Sequence, residues 1–169
     1  MNILPLPKAF DENEWFILLG LIITIAIIVF LPKRMPISLS IIMLMFGSII
    51  ARILDHLLSS PTFNLYDVMD TGKYDFFDIL TYLFYAPFSY LFVYCYERFH
   101  IRGFGVLFYI IACSLAGTLF EGISVYFDVF TYKGWELKYS FSVYLVVQSL
   151  TILLYRYITF IYLNLSGNN

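Results

Sequence analysis

Five apolar runs, each close to helix length for a bilayer and each broken by a charged or turn-rich linker, constrain this chain more than any other feature. They cover about 15–31, 37–54, 76–96, 104–126 and 141–163. A helix needs about 20 apolar residues to cross the hydrocarbon of a membrane. The runs do not alternate apolar and polar residues at period two, so a β-barrel is disfavoured. The expected fold is therefore all-α: an integral membrane bundle of five transmembrane helices, forming a single transmembrane domain over residues 1–169.

Composition agrees. Of the 169 residues, 61% are hydrophobic and 13% are charged, with a mean hydropathy of +0.82. A soluble domain of this size could not bury so much apolar surface, and a disordered chain would not carry it. The net charge of −2 offers no basic surface for nucleic acid. Cys95 and Cys113 lie inside apolar runs and match neither a disulfide framework nor a zinc spacing. The segment before Trp15 does not read as a signal peptide, because Asp11, Glu12 and Glu14 precede the first run.

Lys and Arg in short flanks set orientation. Lys33 and Arg34 follow the first run, and Arg98 and Arg102 separate the third from the fourth. Lys8, Lys73, Lys133 and Lys138 stand on the other side, among acids such as Asp67, Asp70 and Asp75. The expectation is an outside N-terminus and a cytoplasmic C-terminus. Trp15 and Trp135 are expected as interface anchors, and Gly134 as a tight-turn residue.

Ionisable groups inside a span are costly unless paired or facing a cavity. Under this topology Arg52, Asp55 and His56 fall near the outer end of the second span, Asp78 about one turn into the third, and Glu121 in the outer third of the fourth. The five are expected to form a cluster at one depth, fed by small and polar stripes: Asp78, Tyr82, Tyr85 and Ser89 in span three, and Ser114, Gly117, Thr118, Glu121, Ser124 and Asp128 in span four. The leading reading is an ion pair, Arg52 with Glu121 or Asp78, that locks helix packing. An outward polar pocket for a ligand or lipid headgroup comes next. A metal site of Asp55, His56, Asp78 and Glu121, then acid–base catalysis, rank below it. Arg156 reads as an interface snorkeller. No catalytic triad, phosphate-cradling glycine loop or metal motif is present, so no catalytic residue, metal or cofactor is assigned.

The segment from Glu121 through Tyr132-Lys133-Gly134-Trp135 to Tyr139-Ser140, followed by an apolar helix, resembles a family of small, uncharacterised multi-pass membrane proteins of Gram-positive spore-forming bacteria. The likeness covers roughly the last third of the chain. It implies a bacterial plasma-membrane bundle and no particular activity. On these grounds the expected function is a non-enzymatic membrane component working through lipids, a partner membrane protein or a second copy of itself. A small transporter or channel and an enzyme acting on a lipid or isoprenoid are the alternatives.

Overall fold

The computed structural model describes residues 10–69 and 76–166. Lys8, Asp70, Lys73 and Asp75 lie outside the described residues. The elements run α1 (Glu12–Phe30), α2 (Ile37–Leu58), β1 (Tyr66–Val68), α3 (Phe76–Arg98), α4 (Gly105–Tyr126), β2 (Phe130–Tyr132) and α5 (Leu137–Ser166). All five helices are long and apolar enough to cross a membrane.

Caps, rather than hydropathy, set the helix ends. α1 begins at Glu12, ahead of the apolar run, because Asp11 and Glu14 form a reciprocal capping box: the Glu14 carboxylate accepts the Asp11 N–H at 2.9 Å. α3 and α4 each stop at a residue in the left-handed region, His100 (φ 50°) and Asp128 (φ 54°). In both cases the next N–H reaches back over the turn, Ile101 to the Tyr96 carbonyl and Val129 to that of Ser124. Asp128, expected within the polar stripe of span four, is thus a helix terminator on the surface.

The polar linkers hold an element that hydropathy did not reveal. β1 and β2 pair antiparallel, with Tyr66 opposite Tyr132 and Val68 opposite Phe130. Both strands place an apolar residue at each end around a polar one, the period-two signature at its shortest. Three successive N–H groups, of Lys133, Gly134 and Trp135, converge on the Leu65 carbonyl and fix the bend after β2. Gly134 occupies this bend without a positive φ; a Cβ there would meet Leu65 at an ordinary 3.5 Å.

The helices pack as two pairs, α2 with α3 and α4 with α5, with α1 laid on α3. Gly47 lets α2 approach α3 so closely that a Cβ would come within 2.8 Å of Ser89 and 3.1 Å of the Tyr85 carbonyl. α3 and α4 meet through rings: Phe88 and Phe84 lie 5.1 and 5.8 Å from Phe120, and Phe92 stacks on Tyr109 at 4.9 Å. One apolar cluster, around Ile17, Phe84, Val129 and Phe130, closes the ribbon end. A second, around Met43, Val93, Ile152 and Tyr155, closes the far end.

The surface is inverted relative to that of a water-soluble protein. The buried residues of α4 are Ser114 and Ser124, while Phe108 and Leu119 stand about 70% exposed. α1 buries Asn13, Glu14 and Thr24 alongside Ile17, and exposes Ile22 and Val29. Small and polar groups facing other helices, with large apolar ones facing outward, are what a lipid solvent selects.

Candidate functional site

Between the two helix pairs, and between the two apolar clusters, lies a cavity of about 520 Å³. That is within the usual range of small-molecule sites. Its long walls are apolar, from Phe46, Ile50 and Leu54 of α2 to Phe88, Leu91 and Phe92 of α3 and Val143 and Val147 of α5. Cys95, Tyr109 and Cys113 line its far part, and both cysteines are free thiols. From Tyr109 to Glu121 on α4 the helical rise makes it roughly 18 Å long. Two carboxylates, Asp55 and Glu121, stand at the ribbon end.

Glu121 is held by hydroxyls. Tyr132 and Ser140 both donate to its Oε1, Ser140 at 2.6 Å, and Tyr144 donates to its Oε2 at 2.8 Å. The Trp135 indole N–H donates in turn to Ser140 Oγ at 2.8 Å. Ser140 and Tyr144 share a face of α5, one turn apart. Tyr132 arrives from β2, so the ribbon supplies one arm of the cage. Burial first, then the bond to Glu121, pushes the Tyr132 phenol well above its ordinary pKa and keeps it a donor.

Asp55 is 7% exposed. Its Oδ1 accepts from the Tyr66 hydroxyl at 2.7 Å, and its Oδ2 is buried without a hydrogen-bond partner. Tyr66, on β1, is itself buried, and burial together with the Asp55 charge raises its pKa strongly. Around Tyr66 stand Phe130, Trp135 and Tyr132, with ring centroids at 5.6, 5.9 and 6.4 Å.

The five cluster residues therefore divide. Asp55 and Glu121 face the cavity, whereas Arg52, His56 and Asp78 are not among the described residues lining it. Arg52, Asp78 and Glu121 all act on Asp55 through their charges. The Arg52 guanidinium lies over the Tyr82 ring, 5.2 Å from its centroid, and Nη1 is 3.5 Å from the Tyr82 hydroxyl. Asp78 is buried in the first turn of α3, and His56 is exposed. Lys133 pairs with Asp67 and Lys138 with Glu136, both at the ribbon end. No three His, Cys, Asp or Glu side chains among the described residues converge as a metal site. Compared with protein families, with curated proteins and with solved structures, the chain matches none.

Tyr85 and Ser89, from the expected stripe of α3, line the cavity, as does Gly117 of α4. Ser114 turns aside and donates to Gln148 of α5 at 3.1 Å. Trp135, expected as an interface anchor, directs its N–H to Ser140 and its ring to Tyr66. Trp15, in the first turn of α1, is 54% exposed. Tyr66, Tyr132, Ser140 and Tyr144 were not singled out from the sequence as carboxylate partners. The spacing of Ser140 and Tyr144, four residues apart at the start of an apolar helix, was the available signal.

Proposed function

We propose that this protein is a non-enzymatic membrane component that takes one lipid-like molecule from the bilayer into the cavity between its helix pairs. The observation that carries this reading is the cavity: an apolar space at membrane depth, polar at one end. Apolar clusters above and below it favour binding over a conducting path. Both oxygens of Glu121 are already engaged by donors, which favours a fixed polar end over an acid or base in a reaction. In this reading the protein belongs with the small multi-pass membrane proteins it resembles and resides in a bacterial plasma membrane. The cytoplasm faces the end carrying Lys33, Arg34, Arg98 and Arg102. An impermeant thiol reagent on intact cells should label Thr62→Cys and spare Lys33→Cys, in a chain lacking Cys95 and Cys113; the reverse pattern would invert the topology.

The binding reading is tested by native mass spectrometry of protein released from its own membranes in mild detergent. A one-to-one adduct is expected. It should disappear from Ala51→Phe and Val147→Phe, which fill the cavity from α2 and α5. Bare wild-type protein, or an adduct that survives both substitutions, would overturn it.

A further inference from the structure

We infer that the molecule held in this cavity has a cationic ammonium head, as a single-chain alkylamine or alkyl quaternary ammonium does. The head would lie against Asp55, and the chain would run toward Tyr109 and Cys95. This inference rests on the binding reading above and adds the chemistry of the head.

Three observations converge on it. The first is charge. Two carboxylates from different helices face one chamber, and no lysine, arginine or histidine is among the described residues lining it. A lipid acid or phosphate would meet like charge there. A cation would meet attraction in surroundings of low dielectric, where such interactions are strongest. Arg52, one turn from Asp55 on α2, acts on it through its charge from outside that lining, where it lies over the Tyr82 ring.

The second is a buried acceptor without a partner. Glu121 has donors on both oxygens, whereas Asp55 has one on Oδ1 and none on Oδ2. A buried acceptor left without a partner carries its desolvation penalty uncompensated, so native structures leave few of them. An ammonium N–H, or the positive methyl shell of a quaternary ammonium, would compensate it.

The third is the wall around that acceptor. Tyr66, Phe130, Tyr132 and Trp135 form a contiguous group of rings, and Tyr85 and Tyr144 line the same chamber. Ring faces attract ammonium groups, and enclosure by several rings is the usual way proteins recognise quaternary ammonium. β1 and β2 each contribute rings, so the ribbon builds the head site as well as closing the bundle.

The test uses the full chain in a nonionic detergent and reads the rate at which N-ethylmaleimide modifies Cys95 and Cys113. Four probes share one alkyl chain: dodecylamine, dodecyltrimethylammonium, dodecanol and dodecanoate. Both cations should protect the thiols at concentrations at least tenfold below dodecanol, and dodecanoate should protect least. Asp55→Asn should bring dodecylamine to within twofold of dodecanol while leaving dodecanol unchanged. Val147→Phe should abolish protection by all four. Equal protection by amine and alcohol in the wild type would overturn the head assignment and leave the binding reading standing. Protection by none of the probes would overturn both. Should Asp55→Asn fail to fold, the wild-type ranking of the four heads decides alone. Protection that persists in Val147→Phe would assign the effect to the micelle and overturn the inference.

Discussion

The two ends of the bundle use the same side chain in opposite senses. At the ribbon end, Tyr132 and Tyr144 donate their hydroxyls to Glu121, and Tyr66 donates to Asp55. At the far end, Tyr96 accepts from Arg156, with Nε at 2.9 Å and Nη2 at 2.6 Å. A phenol carries both a donor proton and acceptor lone pairs, so it can stand in for water beside either sign of charge. The consequences differ because the charged partners differ in reach. A carboxylate on a short stem inside the bundle needs its donors brought to it, and a ribbon plus a neighbouring helix supply them. A guanidinium on a long stem can find its own solvent at the interface. The carboxylate end is therefore a built site, and the guanidinium end is an anchor.

The largest expected effect breaks the built end. Glu121→Ala leaves the Tyr132, Ser140 and Tyr144 hydroxyls without their common acceptor and should cost roughly 3 kcal/mol or more, since each hydrogen bond to a charged group is worth about 1.5–3. Unfolding titrations in mixed micelles measure it. A double-mutant cycle sharpens the point. Glu121→Gln with Tyr144→Phe should show a coupling of about 1 kcal/mol or more, and Glu121→Gln with Arg52→Met should be additive to within about 0.5. Strong coupling to Arg52 instead would restore a packing ion pair as the role of Glu121.

The next effect separates the two helix pairs. A Cβ at Gly47 would press on Ser89 and on the α3 backbone, which cannot move aside. Gly47→Ala should therefore cost about 1–3 kcal/mol, the range for overpacking. At Gly117 the nearest atoms are those of the Tyr144 ring, at 3.4 Å. Gly117→Ala should change stability less, and its effect should be read as altered donation to Glu121 if Tyr144 shifts. Equal losses at both positions would mean that α4 is held to α5 as tightly as α2 is to α3.

How much of this could be read from the chain follows from the range of each signal. Helix number and approximate limits were legible because apolar run length is local and the solvent is lipid. α1 and α5 begin ahead of their apolar runs, at Glu12 and Leu137, since a capping box and the turn after Trp135 decide helix starts and hydropathy does not. Helical rise alone gave Arg52, Asp55, Asp78 and Glu121 a common expected depth. Their partners were not, because rise sets height along a helix and leaves rotation and the neighbouring helix open. Glu121 was expected to seek a cation, and its donors are instead neutral hydroxyls from β2 and α5. That choice depends on the β1–β2 pairing, a contact of three residues with three across the whole α3–α4 hairpin. No local pattern in either strand names its partner.

The smallest expected effect tests the far end. Tyr96 is 6% exposed, and its hydroxyl receives two N–H groups from Arg156, whose own side chain is exposed. Tyr96→Phe removes the acceptor and keeps the ring, which lies edge-on to Tyr155 at 6.1 Å. The guanidinium then turns to water or headgroups, because its stem is long and its site open. The net loss should be about 0.5 kcal/mol or less, the low end for a hydrogen bond that water can replace. Tyr144→Phe, the same chemical change at the other end, should cost about 1.5 kcal/mol or more, since Glu121 Oε2 has no such recourse. In an Arg156→Met background Tyr96→Phe should have no further effect. A loss at Tyr96 equal to that at Tyr144 would break the comparison: Arg156 would then be a structural partner held inside the bundle, and both ends would be built sites.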